Sequence, residues 1–204
     1  LNAVIDSMAL GGFNVSTTVG GSDTLIGIEN IIGTGLADFI TGDSGANILQ
    51  GGRVTATVLK HHLPNDAVFD ERRLFTSADV HGPYIIKGVR IGSPICEDAW
   101  HPDVAETLAE TGAEILLVPN GSPYHRGKPN LRLNLMVNRV VETGLPLVYL
   151  NMVGGQDDQV FDGSSMVLNP GGKLAAQLPQ FEEHVTHITF RREAAGCLLY
   201  TSPS

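Results

Sequence analysis

Residues 89–102, VRIGSPICEDAWHP, constrain this chain more than any other stretch. An apolar run of Val89, Ile91 and Ile95 delivers Cys96 at its end, Glu97 and Asp98 follow at once, and Pro102 opens a helical pattern. A fold exposes a nucleophile in this way, at the tip of a buried strand. Cys96 is therefore the candidate reactive atom, against the plain alternative that a free cysteine is a small buried hydrophobe.

The surrounding pattern, residues 53–190, is that of an α/β domain. Val54, Ala56 and Val58 alternate along a strand that ends at Lys60, so Lys60 stands at a strand's end as Cys96 does; taken alone, it reads as a solvated surface cation. Residues 64–75, PNDAVFDERRLF, read as a loop in which Glu71 beside Arg72 and Arg73 forms a surface ion pair of little energetic weight. Residues 84–86 and 89–95 read as neighbouring strands joined by a tight turn at Lys87 and Gly88. Pro102, Val104, Leu108 and Gly112 mark a helix of about three turns with Glu106 and Glu110 on its wet face. A buried strand (114–120), a helix (130–142), the strands PLVYLN and SSMVLN, a Pro170-Gly171-Gly172 turn and two more strand-like runs follow. Strand and helix alternate and then give way to hairpins, which predicts a mixed sheet layered with helices.

Composition divides the chain near Gly51 and Gly52. Residues 1–52 are rich in Gly, Asn, Thr and Asp, and all 13 Lys and Arg lie from Arg53 onward. Within this first piece Gly33, Gly42 and Gly51 recur at a nine-residue interval, as do Ala37 and Ala46, Asp38 and Asn47, and Ile40 and Leu49. A glycine turn with an acid and an apolar residue in each unit is the pattern of a parallel β-roll whose turns hold calcium. The stretch resembles the entry to a repeats-in-toxin calcium array in degenerate form, with Ca2+ at Asp38 or Asp43; the plain alternative is a glycine-rich turn stack that binds nothing. A secreted calcium-binding repeat protein is the function class this piece suggests.

A formal charge of −9 argues against nucleic acid as a partner. No run approaches the length of a membrane span, and no signal-peptide pattern opens the chain. Cys96 and Cys197 lie far apart in unlike settings, which predicts free thiols and a cytoplasmic location for the second piece. The seven histidines suggest no metal-ligand cluster; His61 and His62, adjacent on an extended chain, point apart.

KHHLPN, VFDERRLF, GVRIGSPICEDAW, AETGAEILLVPNGSPY, RLNLMVNRVVETGLPLVYLN and GGQDDQVFDGSS together resemble the nitrilase superfamily, and within it the N-terminal glutaminase domain of bacterial glutamine-dependent NAD synthases. The resemblance implies a partial α-β-β-α sandwich in residues 53–190, preceded by the β-roll-like segment. It implies glutamine hydrolysis through a cysteine thioester, with the ammonia supplied to NAD synthesis. By position Cys96 is the nucleophile, Lys60 stabilises the oxyanion, and Glu71 orders that lysine. Glu97, Ser122 and Lys128 stand near the substrate's amino-acid end. A neighbouring ammonium lowers a thiol's pKa, and with the Glu97 N–H it can hold an oxyanion. The amide step needs no cofactor or metal; ATP and deamido-NAD belong to the family's synthetase domain, which with a second copy of the chain is the implied partner.

The chain also departs from the family pattern. The family's general-base glutamate belongs to a segment ahead of the lysine strand; here that place is taken by the repeat-like stretch, whose one glutamate is Glu29. A base must reach the thiol to accept its proton, so impaired turnover is expected. Asp66 stands where relatives carry a tyrosine, and residues 191–204, with Cys197, read as an unstructured appended tail. A chimeric or misassembled reading frame joined at Gly51 or Gly52 is the expectation. Another amidase or carbamoylase substrate is the alternative within the same chemistry.

Overall fold

The computed structural model describes residues 2–6, 13–17, 21–25, 38–41, 45–50, 53–65, 68–193 and 196–201, with side chains from residue 56 onward. In chain order the strands up to the first helix are β1 (Asn2–Asp6), β2 (Phe13–Thr17), β3 (Gly21–Leu25), β4 (Asp38–Thr41), β5 (Gly45–Gln50) and β6 (Arg53–Leu59). After α1 (Glu71–Leu74) come β7 (Tyr84–Ile86), β8 (Val89–Gly92), α2 (Pro102–Glu110), β9 (Ile115–Asn120), α3 (Lys128–Thr143) and β10 (Leu147–Asn151). The remainder is β11 (Val153–Gln156), β12 (Gln159–Asp162), β13 (Met166–Asn169), β14 (Lys173–Gln177), β15 (Val185–Arg192) and β16 (Leu198–Tyr200).

A six-stranded sheet in the order β14-β13-β10-β9-β8-β7 organises the domain. Its middle strands β8, β9 and β10 run parallel, and antiparallel strands flank them. Parallel neighbours need a crossover connection, and α2 and α3 supply the two that β8, β9 and β10 require. Strand residues alternate between faces, and the burial follows that rhythm. Leu116, Val118, Leu147, Tyr149, Met166 and Leu168 pack with Val104, Ala105 and Leu108 of α2 and Met136 and Val140 of α3. Ile91, Ile115, Val148 and Val167 face the other way, against Val58 of β6, Ile188 and Phe190 of β15 and Leu198 of β16. Sheet, helices on one side and further strands on the other give three packed layers.

Local signals account for the element ends. Lys87 (φ 48°) and Gly88 (φ 80°) both take the left-handed conformation between β7 and β8, which matches the twist of a two-residue hairpin. Pro102 opens α2, and Gly144 closes α3 at φ 70° with its N–H donating to the Val140 carbonyl at 2.8 Å. Glycine adopts that cap without a Cβ penalty.

Four expectations are corrected here. The segment 64–75, read as loop, contains the single helical turn α1, which brings Glu71 inward. The tail at 191–204, read as unstructured, forms β16, paired antiparallel with β15; Leu198 is buried, and Asn169 bonds the Tyr200 backbone from both its side-chain atoms. The stretch read as a parallel β-roll pairs antiparallel instead, β2 with β3, β4 with β5 and β5 with β6, while β1 joins β15. Antiparallel hairpins do not stack successive turns as a calcium roll requires, and the β5–β6 hairpin spans the expected junction. Asp38 lies in β4, described by its backbone alone; Glu29, Asp43, Gly51, Gly52 and Asp66 fall outside the described residues. The fourth correction concerns His61 and His62, whose rings meet with centroids 4.7 Å apart, because the chain bends directly after β6. No helix among the described residues is long and apolar enough to cross a membrane.

Leu116 is fully buried between the sheet and α2. Leu116→Ala should lower stability by about 2–5 kcal/mol, read as a lower denaturant midpoint with an unchanged slope.

Candidate active site

The parallel strands end together, and chain leaving them builds the site. Beyond β8 comes Cys96, beyond β9 come Gly121 and Ser122, and β10 ends at Asn151. In open α/β sheets a cleft forms outside the carboxyl ends of such strands.

Cys96 opens a short 3-10 turn, Cys96–Trp100, at φ 49°. A residue with a Cβ pays about 1–2 kcal/mol for the left-handed conformation, so the surroundings must impose it. Asp98 does so: Oδ2 accepts the Ile95 N–H at 3.0 Å, while the Asp98 N–H donates to the Ile95 carbonyl at 3.0 Å. The other oxygen, Oδ1, accepts the backbone N–H groups of His61 at 3.1 Å and His62 at 2.6 Å. One buried carboxylate therefore ties the chain after Lys60 to the residue before Cys96. Burial pushes the Asp98 carboxyl up, opposed by the three backbone donors and the His62 charge.

Lys60 is buried at 5 % exposure, and its ammonium donates to both oxygens of Glu71 at 2.8 and 2.7 Å. The expected surface pairing of Glu71 with its arginine neighbours does not form; Arg73 pairs with Asp70. Burial also governs the sulfur. It pushes the Cys96 thiol up, Lys60 and a Gly121 N–H pull it down, and Glu97 and Glu71 oppose them. Against the lowered thiol pKa that the resemblance implies, desolvation is the largest influence, and Glu97, with a smaller part from Glu71, offsets the lysine's charge.

Glu97 is half-buried, with Oε1 3.5 Å from Nε2 of His101. Ser122 is buried; its N–H donates to Asn151 Oδ1 at 2.9 Å, and its Oγ accepts from Arg132 Nε at 3.1 Å. Lys128, at the start of α3, sets its ammonium 4.3 Å from the centre of the Trp100 ring. Lys60, Glu71, Glu97 and Cys96 thus form one electrostatic group, and Ser122 follows the strand next to it.

Arg132, Asp162 and Asn151 escaped the sequence reading. Arg132 reaches Asp162 at 2.6 Å with both side chains at 1 % exposure or less, and it also donates to the Ser122 and Pro123 carbonyls. Its signal was present: a cation four residues before Met136, in the stripe of α3 that faces the sheet. The histidine pair is a second omission, since His61, His62 and Asp103 lie close enough to share one cation.

Residues 33–196 match the family model for carbon-nitrogen hydrolase. The chain belongs to the carbon-nitrogen hydrolase family. The match crosses the junction expected at Gly51 and Gly52, so a chimeric origin gains no support from it, and nothing in the comparisons supports a calcium repeat. A glutamine-dependent NAD(+) synthetase of Rhodobacter capsulatus is 62% identical over 148 residues, 72% of this chain and 27% of that protein. The solved glutamine-dependent NAD+ synthetase of Acinetobacter baumannii, in complex with ADP, superposes with a TM-score of 0.70 at 32% identity, covering 95% of this chain and 33% of that one. An amidase of Nesterenkonia sp. AN1, solved with acrylamide added at its active-site cysteine, gives 0.58 at 26% identity over 69% of this chain and 54% of that one. The chain spans only about a quarter to a third of the length of the two synthetases it matches.

Two outcomes are expected. A thiol with a raised pKa holds little thiolate near neutrality, so iodoacetamide labelling of Cys96, followed by peptide mass spectrometry, should climb steadily as pH rises through the alkaline range. Lys60→Met removes the cation that favours the thiolate and should slow labelling at each pH; a rate already level at pH 7 would contradict the first outcome, and an unchanged rate in the variant the second. Separately, Arg132→Met leaves Asp162 buried and unpaired and should cost about 3–5 kcal/mol in denaturant unfolding.

Proposed function

We propose that this carbon-nitrogen hydrolase domain hydrolyses the side-chain amide of glutamine and supplies the ammonia to NAD synthesis. The observation that carries the reading is the buried Lys60, clamped on both oxygens of Glu71 and electrostatically coupled to Cys96 at a left-handed elbow. Relatives named glutamine-dependent NAD(+) synthetase make glutamine the preferred amide.

In this reading the Cys96 sulfur attacks the amide carbon, and the carbonyl electron pair moves onto oxygen. The Lys60 ammonium and the Glu97 N–H stabilise that oxyanion by charge-assisted hydrogen bonds. Protonated nitrogen leaves as ammonia, a thioester to Cys96 remains, and water hydrolyses it to glutamate and free thiol. Glu71 acts as a positioning residue that holds Lys60 in one rotamer. The Glu97 carboxylate, Ser122 and Lys128 face the substrate's ammonium and carboxylate, opposite charges that need opposite partners.

The thiol proton needs an acceptor within hydrogen-bond reach. Glu71 and Glu97 are the two carboxylates that act on the sulfur among the described residues, and Glu71 is already engaged by Lys60. Slow acylation follows from that arrangement. The amide step requires no cofactor in this reading; ATP and deamido-NAD are the business of a synthetase domain, the partner that would receive the ammonia.

A diazoketone analogue of glutamine, followed by mass spectrometry of the full chain, tests the proposal. Labelling should fall on Cys96, be blocked by excess glutamine but not by aliphatic amides or carbamoyl amino acids, and drop by about 10²–10³ in Lys60→Met. Equal labelling of Cys197, or protection by a simple amide instead of glutamine, would overturn it.

A further inference from the structure

His61 and His62 directly follow Lys60, and the bend there turns their rings toward one another instead of to opposite sides. One ring nitrogen from each and a carboxylate oxygen of Asp103 lie within 4.8 Å of one another. Nε2 of His62 is 2.9 Å from both oxygens of Asp103. Nδ1 of His61 lies 2.6 Å from the Ala78 carbonyl oxygen. A carbonyl only accepts, so Nδ1 carries the proton and Nε2 keeps its lone pair. A backbone carbonyl that fixes the tautomer in this way is the usual outer partner of a metal-binding imidazole.

The backbone beneath the two rings is also held. Both N–H groups donate to Oδ1 of Asp98, which restrains the pair independently of any ion. An ion pair between His62 and Asp103 would explain two of the three groups. The bond to the Ala78 carbonyl orients the third, His61, without using its Nε2.

We propose that His61, His62 and Asp103 form a binding site for a divalent transition-metal ion, with Zn2+ as the best fit. Two imidazoles and one carboxylate favour Zn2+, Co2+ or Ni2+ over the hard cations Mg2+ and Ca2+. Three protein ligands leave a coordination position for water or another small ligand. The position is accessible from solvent, since His62 and Asp103 are 25% and 52% exposed. It adjoins a cleft of about 320 Å³ lined by residues that include His62, Asn65, Glu97 and His101. The site does not depend on the amide chemistry, so it can be tested whether or not glutamine proves to be the substrate.

Equilibrium dialysis of the full chain against Zn2+ in chelator-stripped buffer, with Co2+ absorption in the visible as a second reading, provides the test. The expected result is one ion per chain, undisturbed by excess Mg2+ or Ca2+ and retained in Cys197→Ser. Binding should weaken roughly tenfold or more in His62→Ala and in Asp103→Asn. Asp103 is exposed on α2, so its variant keeps the fold, which circular dichroism verifies, and decides the matter even if His62→Ala is unstable. Affinity unchanged in Asp103→Asn, or lost in Cys197→Ser, would overturn the proposal.

Discussion

The carboxylate of Asp98 is the constraint on which the site's geometry depends. Its two oxygens gather three backbone N–H groups from two segments that are 36 and 37 positions apart for the longer links. On one side the chain has just delivered Lys60; on the other it is about to place Cys96 at positive φ. Neither side chain has to find the other, because the peptide groups beside them are already fastened to one anion. A buried acid with a raised pKa costs free energy, and the three donors are what make its burial tolerable.

The same economy recurs one strand further on. Arg132, inside the packed face of α3, spends its guanidinium on Asp162, on Ser122 and on the Pro123 carbonyl, while Asn151 holds Ser122 from the neighbouring strand. The loop after β9 is thus fixed by groups from α3, β10 and β12. Supports of this kind, packed and hydrogen-bonded from behind, lock the side chains they carry into one rotamer. Two buried polar clusters, one beneath the elbow and one beneath the Ser122 loop, therefore lie beyond the ends of adjacent strands.

Much of this was legible beforehand. The alternation in residues 54–58, the apolar runs in 114–120 and 146–151, the proline at 102 and the glycines at 88 and 112 marked elements that the structure contains. Resemblance in the KHHLPN and GSPICEDAW segments pointed to Lys60 and Cys96 as a pair. What could not be read was any contact made by folding back. Asp98 looks like the second acid of a loop, and nothing in its spacing says that it will receive the N–H groups of His61 and His62. Neighbouring histidines point apart on an extended chain, but the backbone bends at this pair, and a run as short as LLY carries too little periodicity to register as a strand. Glycine spacing in the first 52 residues suggested a roll, although a nine-residue rhythm of turns is equally compatible with hairpins.

The ladder between β1 and β15 matches Asn2 with Thr189 and Asp6 with Val185, joining opposite ends of the chain. On a ribosome, the first of these strands is exposed long before its partner has been synthesised. The six-stranded sheet, built from residues 84 to 177, can assemble in the interval, but the layer covering its second face must wait. During that wait Ile91, Ile115, Val148 and Val167 have no complete cover, and a nascent molecule stalled there presents an apolar surface and an unpaired strand edge of the kind that chaperones bind and aggregates grow from.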